Sequence, residues 1–304
     1  MAQNTPNRRM KIGVLPGSTE GTLDGGTPSF KDIQAMAHAT ELGNLDSFWM
    51  IDHLLFRYPG EEEGCWEALT FLSALAATTK RISLGPLVAC TSFRNPALLA
   101  KMADSLDEIS AGRFILGLGA GWHEPECAAF GYPYDHRASR FEEALQIIVP
   151  LLREGHVDFR GQYYSAQSCV LRPRGPSHLG PPIWIGTKGP RMLRLAAQYA
   201  NAWNTAWHGG ASEVASKYTS LLEACSAVGR DPETIDLTVG TGVYTLDEGA
   251  SAKYTGHRGT PEEIALALKE YAEIGVRHLV VQVEPFGVES IERFSRIVEL
   301  FDSM

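Results

Sequence analysis

Short apolar runs alternate with stretches of helical periodicity along the whole 304-residue chain. Runs at 11–16, 45–51, 82–90, 114–119, 183–186, 202–206, 237–245 and 278–283 read as strands. Continuous apolar stretches of this length suit parallel strands covered on both faces. Between them, 30–43, 65–79, 96–110, 137–154, 190–199, 212–228, 261–274 and 288–301 read as helices. Gly43 stops the first of these, and Asn95-Pro96 opens the third as a cap followed by proline. Eight strand–helix pairs without a composition break predict a single-domain α/β fold, a (β/α)8 TIM barrel over 1–304. An open doubly wound sheet is the competing architecture, and count and length favour the barrel. One detour, 155–182, is expected as a hairpin-like insertion before the fifth strand, and 1–9 as a disordered arm.

The densest signal is the stretch from Gly112 to Glu126, GRFILGLGAGWHEPE. A buried strand runs there into glycines at alternate positions, where another backbone or a flat ligand comes close. A dinucleotide loop opens directly into a helix. Here Pro125 argues for a loop after the crest, with nothing helical before about Arg137. The glycines are therefore expected to make a floor for a ring, with Trp122 at the crest itself. Trp66, Trp184, Trp203 and Trp207 are expected to pack the barrel.

Net charge is −9 with no basic block, which argues against nucleic acid and anionic membrane as partners. An anionic cofactor would need a local positive site. The five cysteines are dispersed with no C-x-x-C pair, which points to a reducing cytoplasm. No signal peptide is expected, since the N-terminal stretch lacks an apolar core. No apolar run approaches the roughly 18 residues of a membrane helix.

Polar residues after the strands are where a barrel does chemistry. Asp52-His53 follows the second strand; a carboxylate beside an imidazole either moves a proton or orders the loop. Gly85-Pro86 within the third strand predicts a bulge, ahead of Thr91 and Arg94. Gly186-Thr187-Lys188-Gly189-Pro190-Arg191 enters a helix and offers free N–H groups and positive charge to a phosphate. The segment from His123 to Cys127 lacks metal-ligand spacing, so no metal is expected, and no nucleophile elbow supports a hydrolase.

Taken together, the stretches at 51–54, 92–102, 112–126, 140–145 and 182–191 resemble the luciferase-like monooxygenase family, in its F420-dependent branch. The resemblance implies a barrel that holds a deazaflavin or flavin ring at its mouth. It implies contacts from Asp52, from Leu87 and Val88 at a cis-peptide bulge, and from Thr91. Gly119, Ala120, Gly121 and Trp122 would line the ring edge. Gly186, Thr187, Lys188, Gly189 and Arg191 would take the phosphate, and Arg57 with Lys188 and Arg191 would meet the cofactor's anionic tail. His53 becomes the residue for proton transfer. The implied activity is hydride exchange between coenzyme F420 and a small organic substrate, in a homodimer. FMN with O2 on the same fold is one alternative, and a non-catalytic cofactor-binding protein another. Many relatives carry more glycine where Thr187 and Lys188 stand, and some sugar-phosphate dehydrogenases of the branch carry a glutamate where Trp122 stands.

Overall fold

The computed structural model describes residues 8–245 and 255–304. Eight parallel strands form the barrel: β1 (Lys11–Leu15), β2 (Ser47–Met50), β3 in two pieces (Ser83–Pro86 and Ala89–Cys90), β4 (Leu116–Gly119), β5 (Ile183–Gly186), β6 (Ala202–Ala206), β7 (Asp236–Tyr244) and β8 (His278–Glu284). The first piece of β3 pairs with β2, the second with β4. A bridge between Leu84 and Phe114, with Ile115 N–H donating to Leu84 O at 2.8 Å, closes the seam. The remaining neighbours are β2–β1–β8–β7–β6–β5–β4, all parallel, so the barrel is the observed architecture and the open sheet is excluded.

Helices α1 (Phe30–Leu42), α2 (Ala68–Thr78), α3 (Pro96–Ile109), α4 (Glu124–Phe130), α5 (Arg137–Glu154), α6 (Pro190–Tyr199), α7 (Ala211–Val228), α8 (Pro261–Glu273) and α9 (Val288–Asp302) cover the barrel. Several begin where local chemistry dictates. Ser29 and Asp32 form a capping box for α1, Thr260 and Glu263 another for α8, and Asn95 caps α3 ahead of Pro96. Helix α4 corrects the expected loop. Pro125 lies in its first turn, where its missing N–H costs nothing and its fixed φ suits the helix.

The detour is an antiparallel hairpin, His156–Arg160 with Ser165–Val170, tied down by Glu143, which accepts N–H bonds from Gln162, Tyr163 and Tyr164. A second hairpin, Leu55–Tyr58 with Glu61–Gly64, rises after β2. Of the expected arm, 1–7 lie outside the described residues. Arg8 is anchored, its guanidinium buried between Asp46 (2.9 Å) and Asp302 (2.6 Å).

Side chains alternate across each strand. Leu279, Val281 and Val283 of β8 join the core between strands and helices. Val280 joins Leu15, Trp49, Ile115, Trp184 and Ala202 inside the barrel. Trp49 and Trp184 lie with ring centroids 4.5 Å apart. Trp184 and Trp203 are buried as expected and Trp207 packs on the inner cluster, whereas Trp66 is half-exposed and stacks on Phe71 outside the barrel. Deeper still, His278 Nε2 meets Ser47 Oγ at 2.6 Å, and Trp49 Nε1 donates to the same Oγ at 2.7 Å.

Burial, with a smaller push from Lys11, holds the His278 pKa down to about 3. The ring is neutral in the fold and takes a proton on unfolding. A group depressed in this way adds stability above the unfolded value of about 6.5 and withdraws it as pH falls toward 3. Between pH 7 and pH 5 the loss from this residue is about 2 kcal/mol. Urea unfolding at both pH values checks it: His278→Asn should lose less stability than the parent over that interval, and equal losses would remove His278 as the source.

Candidate active site

The residues picked from the sequence lie at the C-terminal ends of the strands and in the segments that follow them. They do so in pairings that differ from those expected.

Asp52 and His53 are adjacent in sequence but part ways. Asp52 is buried at the end of β2 and binds Arg94 through both oxygens, at 2.7 and 2.8 Å, while accepting the Cys90 N–H at 2.8 Å. Arg94 also reaches Glu67, whose carboxylate caps α2 through Leu69 and Thr70. One carboxylate thus ties β2 to the second piece of β3, and one guanidinium ties both to α2. Asp52 is thus an anchor between β2, β3 and the segment that leads into α3.

His53 pairs instead with Glu126. Its Nδ1–H donates to Glu126 Oε1 at 2.8 Å, and Glu126 Oε2 accepts the Leu54 N–H at 2.9 Å. Glu126 sits in the first turn of α4, so the helix that was not expected delivers the carboxylate. Burial favours its neutral form most strongly. The His53 hydrogen bond and charge, with the Leu54 and Leu55 N–H groups, outweigh that and hold the carboxyl below its ordinary range. A carboxylate on Nδ1 fixes the ring tautomer and leaves Nε2 as an acceptor at the mouth, where it makes no hydrogen bond within the described residues. The sequence signal for Glu126 was an acidic residue in the first turn after a proline.

The crest glycines make room for atoms of the chain itself. A Cβ on Gly117 would stand 2.1 Å from Pro86 O; on Gly119 or Gly186 it would stand 2.6 or 3.0 Å from a Val88 methyl. Val88, half-buried, fills the space read as a floor for a ring, and the Leu87–Val88 peptide is cis as the resemblance implies. A second non-proline cis peptide joins Ala206 and Trp207. Gly119 is buried beneath Val88, and Thr91, also buried, donates to Gly119 O at 3.3 Å. Both therefore help join the second piece of β3 to β4 beneath Val88. Ala120 and Gly121 remain half-buried at the rim; Gly121 has φ +74° and accepts from Arg137 at 2.7 Å. Trp122 leaves the glycine strand and turns its ring toward His53, centroids 5.4 Å apart.

At the end of β5, Gly189 (φ +86°) is the N-cap of α6, and no side chain among the described residues caps that turn. Lys188 is exposed and makes no ion pair among the described residues, whereas Arg191 is held by Glu142 at 2.7 Å and Arg57 by Glu62 at 2.6 Å. Lys188 acts on His208, whose imidazole is kept below its usual pKa by burial first and by that charge second. No group of three His, Cys, Asp or Glu among the described residues could hold a metal ion, and no described helix is long and apolar enough to cross a membrane.

A barrel with an oriented imidazole and an open helix N-terminus at one mouth is an enzyme scaffold. The model of the family described as luciferase-like monooxygenase matches residues 10–257, and the chain belongs to that family. Phthiodiolone/phenolphthiodiolone dimycocerosates ketoreductase from Mycobacterium sp. (strain JLS) is 32% identical over 246 residues, 73% of this chain and 64% of the relative. The protein of that name from Mycobacterium tuberculosis (strain ATCC 25618 / H37Rv) is 30% identical over 239 residues, 72% and 62%. The chain thus spans less than two thirds of the length of these relatives. Among solved structures, an F420-dependent secondary alcohol dehydrogenase in complex with an F420-acetone adduct superposes with a TM-score of 0.80 at 18% identity, covering 97% and 99% of the two chains. EDTA monooxygenase from Chelativorans sp. BNC1 gives 0.80 at 16%, covering 97% and 94%. These two likenesses bear on the fold, and they include both deazaflavin and monooxygenase chemistry.

Proposed function

We propose that this enzyme exchanges a hydride between coenzyme F420 and a ketone or secondary alcohol. The observation that carries the reading is the His53–Glu126 pair with its open Nε2 at the mouth. The order of the family motifs supports the deazaflavin, and the similarity to ketoreductases supports a carbonyl substrate. The residues present fit a phosphate-bearing ring cofactor. Gly186, Thr187, Lys188 and Gly189 surround an uncapped helix start, and the half-buried Leu87 and Val88 offer an apolar floor with Ala120 and Gly121 at the rim. Arg191, engaged with Glu142, stands aside from that cradle.

F420 supplies the hydride-carrying carbon when bound. The chain supplies the proton. Reduction of a carbonyl takes up one hydride at carbon and one proton at oxygen; His53 Nε2 delivers that proton, and in the oxidation direction takes it from the hydroxyl. Glu126 steadies the charged ring. Asp52, Thr91 and Gly119 hold the floor in place from below. A cytoplasmic homodimer completes the reading, on the dispersed cysteines and the family resemblance.

Titration of the purified protein with F420 and, separately, FMN tests the cofactor. Micromolar or tighter F420 binding with weak FMN binding is expected; the reverse preference would move the enzyme to flavin and oxygen chemistry. Lys188→Ala should weaken cofactor binding about 10-fold and flatten its salt dependence, because a charge-assisted contact to phosphate is lost. Identical binding curves for the two proteins would take Lys188 out of the cradle.

A further inference from the structure

We infer that Phe56, Tyr58 and Trp122 form a wall that recognises an aryl group, so that the substrate is a ketone or secondary alcohol with an aromatic ring beside the reacting carbon. This rests on the hydride-transfer reading above and names its substrate class.

Trp122 is 55% exposed although the residue before it, Gly121, is half-buried and the one after it, His123, is buried. Its backbone is pinned on both sides: Tyr134 OH donates to Trp122 O at 2.8 Å, and Arg137 to Gly121 O at 2.7 Å. A large ring carried on so fixed a backbone is presented, not stranded by a loose loop. Phe56 of the first hairpin lies 4.3 Å from His53 and 6.1 Å from Trp122, centroid to centroid. Tyr58, 45% exposed, runs nearly parallel to Phe56 at 6.4 Å with an interplanar angle of 7°. The hairpin holds its position because Arg57 N–H donates to His123 Nε2 at 3.0 Å.

Aromatic faces and edges around one imidazole favour offset or edge-on contact with another ring, beyond what apolar area alone gives. An alkyl substrate would gain only area. The indole N–H of Trp122 has no acceptor among the described residues, so it is open to a polar substituent on the substrate ring.

With F420-loaded enzyme, kcat/KM for acetophenone and 1-phenylethanol should exceed that for acetone and 2-propanol by about 10-fold or more. Trp122→Ala and Phe56→Leu should each cut that ratio several-fold, mainly through KM, while Trp122→Phe should retain most of it. Equilibrium dialysis of 2-acetonaphthone against the protein without cofactor reads the wall separately, and the Phe56→Leu/Trp122→Ala double variant should bind about 10-fold more weakly. Turnover with an unchanged aryl-to-alkyl ratio in both single variants would overturn the wall and leave the hydride reading standing. No F420 turnover, with aryl binding still lost in the double variant, would overturn the hydride reading and leave the wall. Unchanged dialysis would overturn the wall in either case.

Discussion

Replacing His53 by alanine is expected to lower kcat by about 10²- to 10⁴-fold with cofactor affinity nearly intact, the range lost when a positioned acid–base group is removed. The separation of the two effects follows from geometry. His53 Nε2 opens on the mouth, while the proposed cradle lies at the start of α6, and no hydrogen bond or ion pair among the described residues joins them. Glu126→Gln should act in the same direction, because an amide keeps the shape of the contact but cannot neutralise an imidazolium. The pH dependence has a fixed sign. The Glu126 carboxyl is held below its ordinary range, so the oriented pair persists through the usual carboxylate titration and is lost only as pH falls beneath it. Steady-state kinetics of both variants, with F420 binding followed by fluorescence, would check this. A His53→Ala enzyme with unchanged kcat would end the proton-transfer assignment.

Asp52→Ala should cost about 3–5 kcal/mol of folding stability, the range for a buried ion pair that loses one partner. Arg94 would keep its charge with a side chain only 9% exposed, and the Cys90 N–H would lose its acceptor. Glu67 still contacts Arg94, so the lower end of that range is the better guide. Asp52→Ala/Arg94→Met should recover much of the loss, since the charge that remains, Glu67, is partly exposed and keeps the Leu69 and Thr70 N–H groups as partners. Urea unfolding of the two singles and the double gives the coupling. If the first substitution costs under about 1 kcal/mol, the network is not the anchor that its distances describe.

Much of this was legible in the chain. Parallel strands covered on both faces appear as continuous apolar runs, and helices with caps announce their starts, so the barrel, its insertion and the kink at Leu87–Val88 could be read from pattern and resemblance. Pairings across loops could not. Asp52 and Glu126 lie 1 and 73 positions from His53, and only the fold decides which carboxylate meets it. Pro125 misled because a proline reads as a breaker unless one sees that it stands in a first turn. The alternate glycines signalled close approach correctly, but a bare glycine does not say whether the chain itself or a ligand approaches. Here it is Pro86 and Val88.

That last arrangement sets how the mouth can be reshaped. Gly117, Gly119 and Gly186 have no side chains left to give up, so a residue bulkier than valine at position 88 has nowhere to move on that side. A smaller one deepens the floor by the volume of the lost methyl groups. Adaptation to thicker ligands is thus open through one side chain, without disturbing the three glycines packed against it.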